Sequence, residues 1–498
     1  MTFDVHQLDT FLLVGSLVTL VAILAVRLSA SVGLPSLLFY LLLGVLLGES
    51  GLGVQFEDAQ LAHALGFGAL ALILAEGGLT TSWREMRPSI RLGVSLATIS
   101  VAVVAAGAHY LLGLPWELAI LLGAVCSPTD AAAVFSVLRV VPLPKRLTGA
   151  LEAESGLNDA PTVVLVTIIS TGAAAESGVL TVGATIVFEL VVGALIGVVV
   201  GMAGAWVMRR IALPSSGLYP LAVLCLAFLA YGGAAAIHAS GFAAVYVAAL
   251  ILGNQELPHR AATRSFAEGV ASLAQIGLFV MLGLLLSPSR ITLDIVGMAL
   301  VTGLLLTVVA RPLSVMISSV VQPMPWRELS FISWAGLRGA VPIVLTTIPL
   351  AEGVDEADVL FDIVFVMVVI YTVLTGPTLP WVSRLLGVAR RSEPRGLDVE
   401  AAPLDRVAAD LLQVTIEPSS RMHGVEVGEL RLPPGASVSM VIRQGETLVP
   451  ERRTVLRHGD DLLVVAPRRL RFATEERLRQ VSSGGRLAQW VQEPKKRE

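Results

Sequence analysis

The chain has 498 residues, 55% of them hydrophobic and only 15% charged, with a formal net charge of -4. That apolar excess excludes an ordinary soluble domain and describes a polytopic membrane protein, while the slight acidity excludes a nucleic-acid partner. The 2 cysteines, Cys126 and Cys225, lie in apolar runs and supply neither a disulfide framework nor metal-ligand spacing.

Before residue 391 the sequence holds 13 apolar runs of spanning length. Their approximate limits are 9–29, 33–49, 60–80, 89–113, 115–139, 147–173, 179–208, 217–238, 239–253, 266–286, 292–319, 328–350 and 359–387. Each reads as a helix across the bilayer, although 239–253 is short for one. Met1 to Asp9 has no basic n-region and no small-residue cleavage site, so the first run is expected to be a span, not a removable leader.

Basic residues set the orientation of such a chain. Alternate connections carry Arg27; Arg84, Arg87 and Arg91; Arg139, Lys145 and Arg146; Arg209 and Arg210; Arg260 and Arg264; Arg311 and Arg327; and Arg384, Arg390 and Arg391. The other connections carry Arg290 alone and are acidic, with Glu49, Asp58, Glu117, Asp294, Glu352 and Asp358 among them. This alternation predicts an N-terminus outside and a cytoplasmic C-terminal part. Asp362, near the outer end of the last run, reads as solvated.

Three runs are interrupted by polar residues. In the fifth, Gly123 to Asp130 contains Ser127-Pro128-Thr129-Asp130. Pro128 removes a backbone donor, so the helix is expected to open there. Open backbone at membrane depth is tolerated only around a buried or watery cavity. Freed carbonyls near Thr129 and the Asp130 carboxylate would then form an oxygen-rich spot suited to an alkali cation or a proton. The sixth run holds Glu154-Ser155-Gly156-Leu157-Asn158-Asp159. Ser155 and Asp159, four apart, share one helix face, and Glu154 and Asn158 share the adjacent one. The twelfth holds Ser333 to Pro342, with Gly336, Arg338 and Gly339. Broken spans at corresponding positions of two halves point to a transporter site, and spans 5 and 12 are so placed. Arg338 needs a buried partner, and Glu154 is the candidate. Glu76, in Glu76-Gly77-Gly78-Leu79, either joins the site or caps its helix.

After residue 390 the composition changes. Residues 391–403 read as a charged linker with Pro394, Gly396 and Pro403. Residues 404–482 read as a soluble α+β module, with strands at Leu411 to Ile416, near Val438 to Ile442 and at Asp461 to Ala466. Helices are expected at Met422 to Leu430 and Arg468 to Val481, and 483–498 as a disordered tail.

Taken together, Ser127 to Asp130, Glu154 to Asp159, Glu76 to Leu79 and Gly336 to Val341 resemble the monovalent cation:proton antiporters of the NhaP and sodium/hydrogen-exchanger group. The resemblance covers about residues 8–388. It implies 13 transmembrane helices in two inverted repeats, crossing broken helices in spans 5 and 12, and a homodimer in the inner or plasma membrane. It further implies an ion and proton site of Asp159, Ser155, Asp130 and Thr129, with Glu154 and Arg338 as a structural pair. Asn158 beside Asp159 resembles the electroneutral branch. The module resembles a TrkA-C (RCK-C) domain by Gly424, Leu432 to Val438, Pro450 and Gly459 to Asp461. The combination resembles CvrA-type potassium/proton antiporters, whose longer members carry a further cytoplasmic domain that this chain ends too soon to include. TrkA-C domains often bind a small ligand, a cyclic dinucleotide among them, although no base-stacking aromatic cluster stands in this one.

The function that follows is exchange of potassium, or else sodium, for protons. One carboxylate holds a proton or a cation but not both, and neighbouring Asp130 and Asp159 would titrate as a coupled pair. No cofactor, resident metal or covalent nucleophile is called for, and no enzyme activity is expected. The alternative is a TrkA-C-regulated cation channel, but no carbonyl-lined filter segment is visible.

Overall fold

The computed structural model describes residues 5–389 except 33, 50, 55, 57, 131–132, 135–142, 174–177, 212, 256 and 321–322, and residues 399–488 except 405–408, 418–419, 444–445 and 486–487. The chain divides into two compact units, Met1–Ala389 and Arg390–Glu498.

In the first unit the apolar runs coincide with helices. These are α1 (Val5–Val32), α2 (Ser36–Leu47), α3 (Ala59–Thr80), α4 (Ile90–Leu112), α5 (Trp116–Cys126), α6 (Lys145–Ser170) and α7 (Val179–Arg210). They continue with α8 (Leu218–Ala235), α9 (Gly241–Asn254), α10 (Arg260–Leu285), α11 (Leu293–Ser318), α12 (Trp326–Trp334), α13 (Ala340–Glu352) and α14 (Ala357–Leu385). Among the described residues, α1, α3, α7, α8, α10, α11 and α14 are long and apolar enough to cross a membrane. Polar side chains start several of them: Asp58 accepts from Leu61 N at 2.9 Å and Thr292 from Ile295 N at 3.4 Å, satisfying donors that a helix start leaves open.

Packing sorts the helices into two groups. Helices α1, α2, α3, α7, α8, α9 and α10 lie against one another, and α4, α5, α6, α11, α12, α13 and α14 form the second group. The groups meet along a seam, where α6 lies against α3, α7 and α9, and α13 against α3 and α10. Small residues bring the backbones together within the first group. A methyl at Gly193 would sit 2.3 Å from Ser240 O, and one at Gly197 2.5 Å from Ala244 O. Gly201, four residues on, faces Ala248 and Ile251 in the same row. Lipid tails are as apolar as leucine, so close van der Waals approach is what holds helices together here.

Asp362 is a correction. It is 2% exposed, and Arg290 donates to it at 3.2 Å while also reaching Asp358 at 3.4 Å. The one basic residue of the acidic connections is therefore the counter-charge of a buried carboxylate.

The second unit is a five-stranded antiparallel sheet in the order β1-β2-β5-β3-β4. Its strands are β1 (Val399–Leu404), β2 (Ala409–Thr415), β3 (Ser437–Arg443), β4 (Glu446–Leu448) and β5 (Asp461–Pro467), followed by α15 (Arg471–Gly484). Alternation along β5 buries Leu462, Val464 and Ala466, and Leu412, Val414, Val441, Leu478 and Val481 close the core around them. Three expectations change. The linker read over 391–403 overlaps β1, because Val399 to Leu404 pairs in register with β2; residues 391–398 lie outside the described residues. The helix expected over Met422 to Leu430 shrinks to a 3-10 turn at Val427–Leu430, because Val425 and Val427 instead exchange backbone bonds with Leu456 and Thr454. The last helix runs through Gly484, into the segment read as a tail, of which 489–498 lie outside the described residues.

The start of the central strand β5 is tied by Asp460. Arg443 reaches its carboxylate with two bonds, at 2.8 and 2.7 Å, and Arg457 N donates to it at 2.8 Å. Burial alone would raise the Asp460 carboxyl, but these donors outweigh it and hold it below the usual range. A depressed folded-state value stabilises the fold above the unfolded value and loses that contribution as pH falls through the folded one.

Two outcomes follow from this packing. Gly197→Leu should lower the thermal stability of the detergent-solubilised protein by about 1–3 kcal/mol or more, whereas Gly183→Ala on the same helix, with open space around it, should leave the melting temperature in place. In the module, Asp460→Asn should cost about 1.5–3 kcal/mol at neutral pH. Urea unfolding should show that difference shrinking below about pH 4 as the wild-type carboxylate protonates.

Candidate functional site

The two interruptions read from the sequence come together in the second helix group. Helix α5 stops at Cys126, Ser127 N still bonds Ala124 O at 3.3 Å, and the backbone then runs on open through Pro128 and Thr129 to Asp130. Helix α12 stops at Trp334, and Ala335 to Gly339 are likewise open before α13 begins. Each open strand satisfies the other. Asp130 N donates to Leu337 O at 2.9 Å, and Arg338 Nε donates to Cys126 O at 2.9 Å. Arg338 also bonds Gly336 O, and its own carbonyl accepts from Thr372 at 3.1 Å. Asp130 starts the next helical segment, with Oδ1 accepting from Ala133 N at 3.0 Å. Glycine is required at 339, because a methyl there would sit 1.8 Å from Asp130 Oδ2.

Helix α6 passes beside this crossing. It stays helical through Pro161, which cannot donate to the carbonyl of Leu157. The next residue binds the adjacent carbonyls, as Thr162 Oγ1 donates to both Asn158 O and Asp159 O at 2.9 Å. Asp159 is 4% exposed, lies in electrostatic range of Asp130, and has one carboxylate oxygen with no hydrogen-bond donor. Asn158 is fully buried, with both side-chain atoms unpartnered. Thr129 is buried at the opening and Ser155 is half-buried on the Asp159 face. Asp130, Thr129 and Asp159 are therefore gathered at the crossing. Glu76 has a different charged neighbour, Glu268 of α10, and its backbone carbonyl takes the Thr80 hydroxyl at 3.0 Å.

The partner of Glu154 is not the expected one. Glu154, 1% exposed, is held by the two terminal nitrogens of Arg311, and Arg311 in turn bonds Ile332 O at 2.9 Å. Arg311, read from the sequence as a residue of a cytoplasmic connection, is 2% exposed inside α11, about two turns before its end. A π-helical turn over Leu305–Ala310 precedes it and Pro312 follows, and such a break re-aims side chains at functional positions. Arg338 lies close by, since a methyl at Gly336 would meet Arg311 Nε at 2.6 Å and Arg338 Nη1 at 2.8 Å. Arg338 feels the charge of Glu154 without bonding it; its side chain braces backbone carbonyls instead. The missed signal was position: Arg311 falls inside the apolar run 292–319, with apolar residues on both sides.

Removing one partner of a buried pair strands the other, at about 3–5 kcal/mol. Arg311→Ala should therefore cost that much thermal stability in detergent, and the double change Glu154→Gln with Arg311→Gln should recover part of it. A cycle with Arg338 in place of Arg311 should show the smaller coupling.

A family model described as sodium/hydrogen exchanger, transmembrane, matches residues 16–385, and one for the TrkA-C domain matches residues 411–470. The K(+)/H(+) antiporter NhaP of Alkalimonas amylolytica is 35% identical over 469 residues, covering 92% of this chain and 81% of the relative. The K(+)/H(+) antiporter NhaP2 of Shewanella oneidensis is 33% identical over 476 residues, covering 93% and 82%. The fold resembles that of the sodium proton antiporter MjNhaP1 from Methanocaldococcus jannaschii, with a TM-score of 0.64 at 21% identity over 76% of this chain and 99% of that one. This chain is a multi-pass membrane protein of the sodium/hydrogen exchanger family, carrying a C-terminal TrkA-C domain.

Proposed function

We propose that the chain is a secondary antiporter that exchanges a monovalent cation for protons, with Asp159 as the shared binding group. The observation that carries this reading is the buried Asp159 carboxylate, with one undonated oxygen, beside Asp130 and the opened backbone of Thr129. A carboxylate in that setting is neutralised either by a proton or by a cation. Ser155, Thr129 and Asp130 supply the further oxygens a cation needs. Glu154, Arg311, Arg338 and Asn158 support the site without carrying the exchanged charge. An empty, charged site is costly to move through a low-dielectric barrier, so the bundle reorients loaded with one species or the other.

Potassium is favoured over sodium. The TrkA-C module and the relatives named as potassium/proton antiporters support that choice. Asn158, uncharged beside Asp159, supports electroneutral exchange. The reading includes 13 spans in two inverted repeats, a homodimer in the inner or plasma membrane, an outer N-terminus and a cytoplasmic module. The connections rich in Arg and Lys support the orientation, with Arg311 now removed from their number. The module would bias exchange by binding a small ligand, by no more than the ligand's difference in affinity between two conformations.

Everted vesicles carrying a pH-sensitive dye test the proposal. Addition of potassium should collapse an acid interior at lower concentration than sodium does. Asp159→Asn should abolish the response to both while the protein accumulates and migrates as wild type. Cation-driven proton movement that survives Asp159→Asn would remove Asp159 from the site.

A further inference from the structure

Helix α9 crosses the seam at one aromatic side chain. Tyr246 is 5% exposed, and its ring lies directly on Gly156 of α6: a methyl there would sit 2.2 Å from the phenol oxygen and 2.4 Å from the ring carbon that bears it. Glycine at 156 therefore forms a notch that the phenol fills. The hydroxyl is held just past the end of α3, where it donates to Met86 Sδ at 3.3 Å and the Thr81 side chain lies nearby. Tyr246 lies in electrostatic range of both Glu152 and Asp159. Those two residues are seven apart on α6, two turns or about 10 Å along one stripe. Glu152 is half-buried, with one orphaned carboxylate oxygen, on the Lys145 side of the notch.

The two ends of the seam differ. At the end where α3 starts, Glu49, Phe56, Leu284, Arg290, Leu350 and Asp358 line a cleft of about 300 Å³ between the groups. At the other end the stretch after α3 presses on α6, where the carbonyl of Glu85 lies 2.3 Å from where a methyl on Gly149 would be.

We propose that Tyr246 is a gating residue: its phenol, seated in the Gly156 notch, closes the path between Glu152 and Asp159, and the site opens toward the Lys145 end of α6 only when the ring leaves the notch. Helices α9 and α6 belong to different groups, so rocking one group against the other shears this contact. The inference rests on the antiport reading for its purpose, but not for its geometry.

Two measurements on the full chain test it. In the vesicle assay, Gly156→Ala should cut cation-driven proton flux about tenfold or more, since a small misplacement at a site has effects of that order. Adding Tyr246→Ala should restore much of the loss; a folded double variant as inactive as Gly156→Ala overturns the proposal. Independently of flux, a water-soluble carbodiimide is added to either face of the vesicles and modification of Asp159 is followed by peptide mass. Tyr246→Ala should label severalfold faster than wild type, from the Lys145 face only. Equal rates, or acceleration from both faces, overturn the gate, and this arm stands even where Gly156→Ala fails to fold. Absence of flux in wild type with every alkali cation would sink the antiport reading and leave the labelling result to judge the gate.

Discussion

The first unit depends on a reciprocal repair of broken backbone. Opening a helix inside a membrane exposes N–H and carbonyl groups with no water to satisfy them. Here the open stretch after Cys126 and the open stretch after Trp334 donate to each other, through Asp130 N and Arg338 Nε. Neither break is tenable alone. That mutual requirement fixes α5 and α12 against each other, and it leaves the Asp130 carboxylate pressed on Gly339 and near Asp159. The polar centre is thus a consequence of how the backbone is satisfied, not an addition to a finished bundle.

Charge is handled in the same way, by local pairing. Glu154 of α6 and Arg311 of α11 neutralise each other, with Ile332 O taking a further guanidinium hydrogen. Arg290 does the same for Asp362 near the cleft. What stays unpaired is telling. The Asn158 amide and one Asp159 oxygen have no protein partner, whereas the buried carboxylates of Glu154 and Asp362 each have an arginine. A buried polar atom left open is costly, and it persists where function uses it.

The breaks were legible in the sequence because their causes are local. Pro128 and the glycines around Arg338 sit inside apolar runs, and each residue's backbone chemistry announces an opening. The Ser155 and Asp159 face was legible by spacing alone. The partner of Glu154 was not. Its position 157 residues away depends on a π-helical turn that shifts the register of α11, and helical periodicity carries no trace of that turn. Reading Arg311 as a loop residue followed from counting positive charges, a rule about connections that fails for an arginine buried within a helix. In the module, β1 was lost in a stretch rich in proline and charge, because its pairing with β2 is visible only in the folded sheet.

The row of Gly193, Gly197 and Gly201 has a thermal consequence. Glycine and alanine have no rotamers to lose, so α7 and α9 meet without the side-chain entropy penalty that a leucine seam incurs. Their attraction is dispersion between close backbones in lipid, and it does not rely on ordering water. The module's core of Leu412, Val441, Leu462 and Val464 does rely on it. Burial driven by water weakens as temperature falls. Cooling therefore loosens the module while the glycine-lined joint keeps its strength, and the two units of one chain respond to cold in different ways.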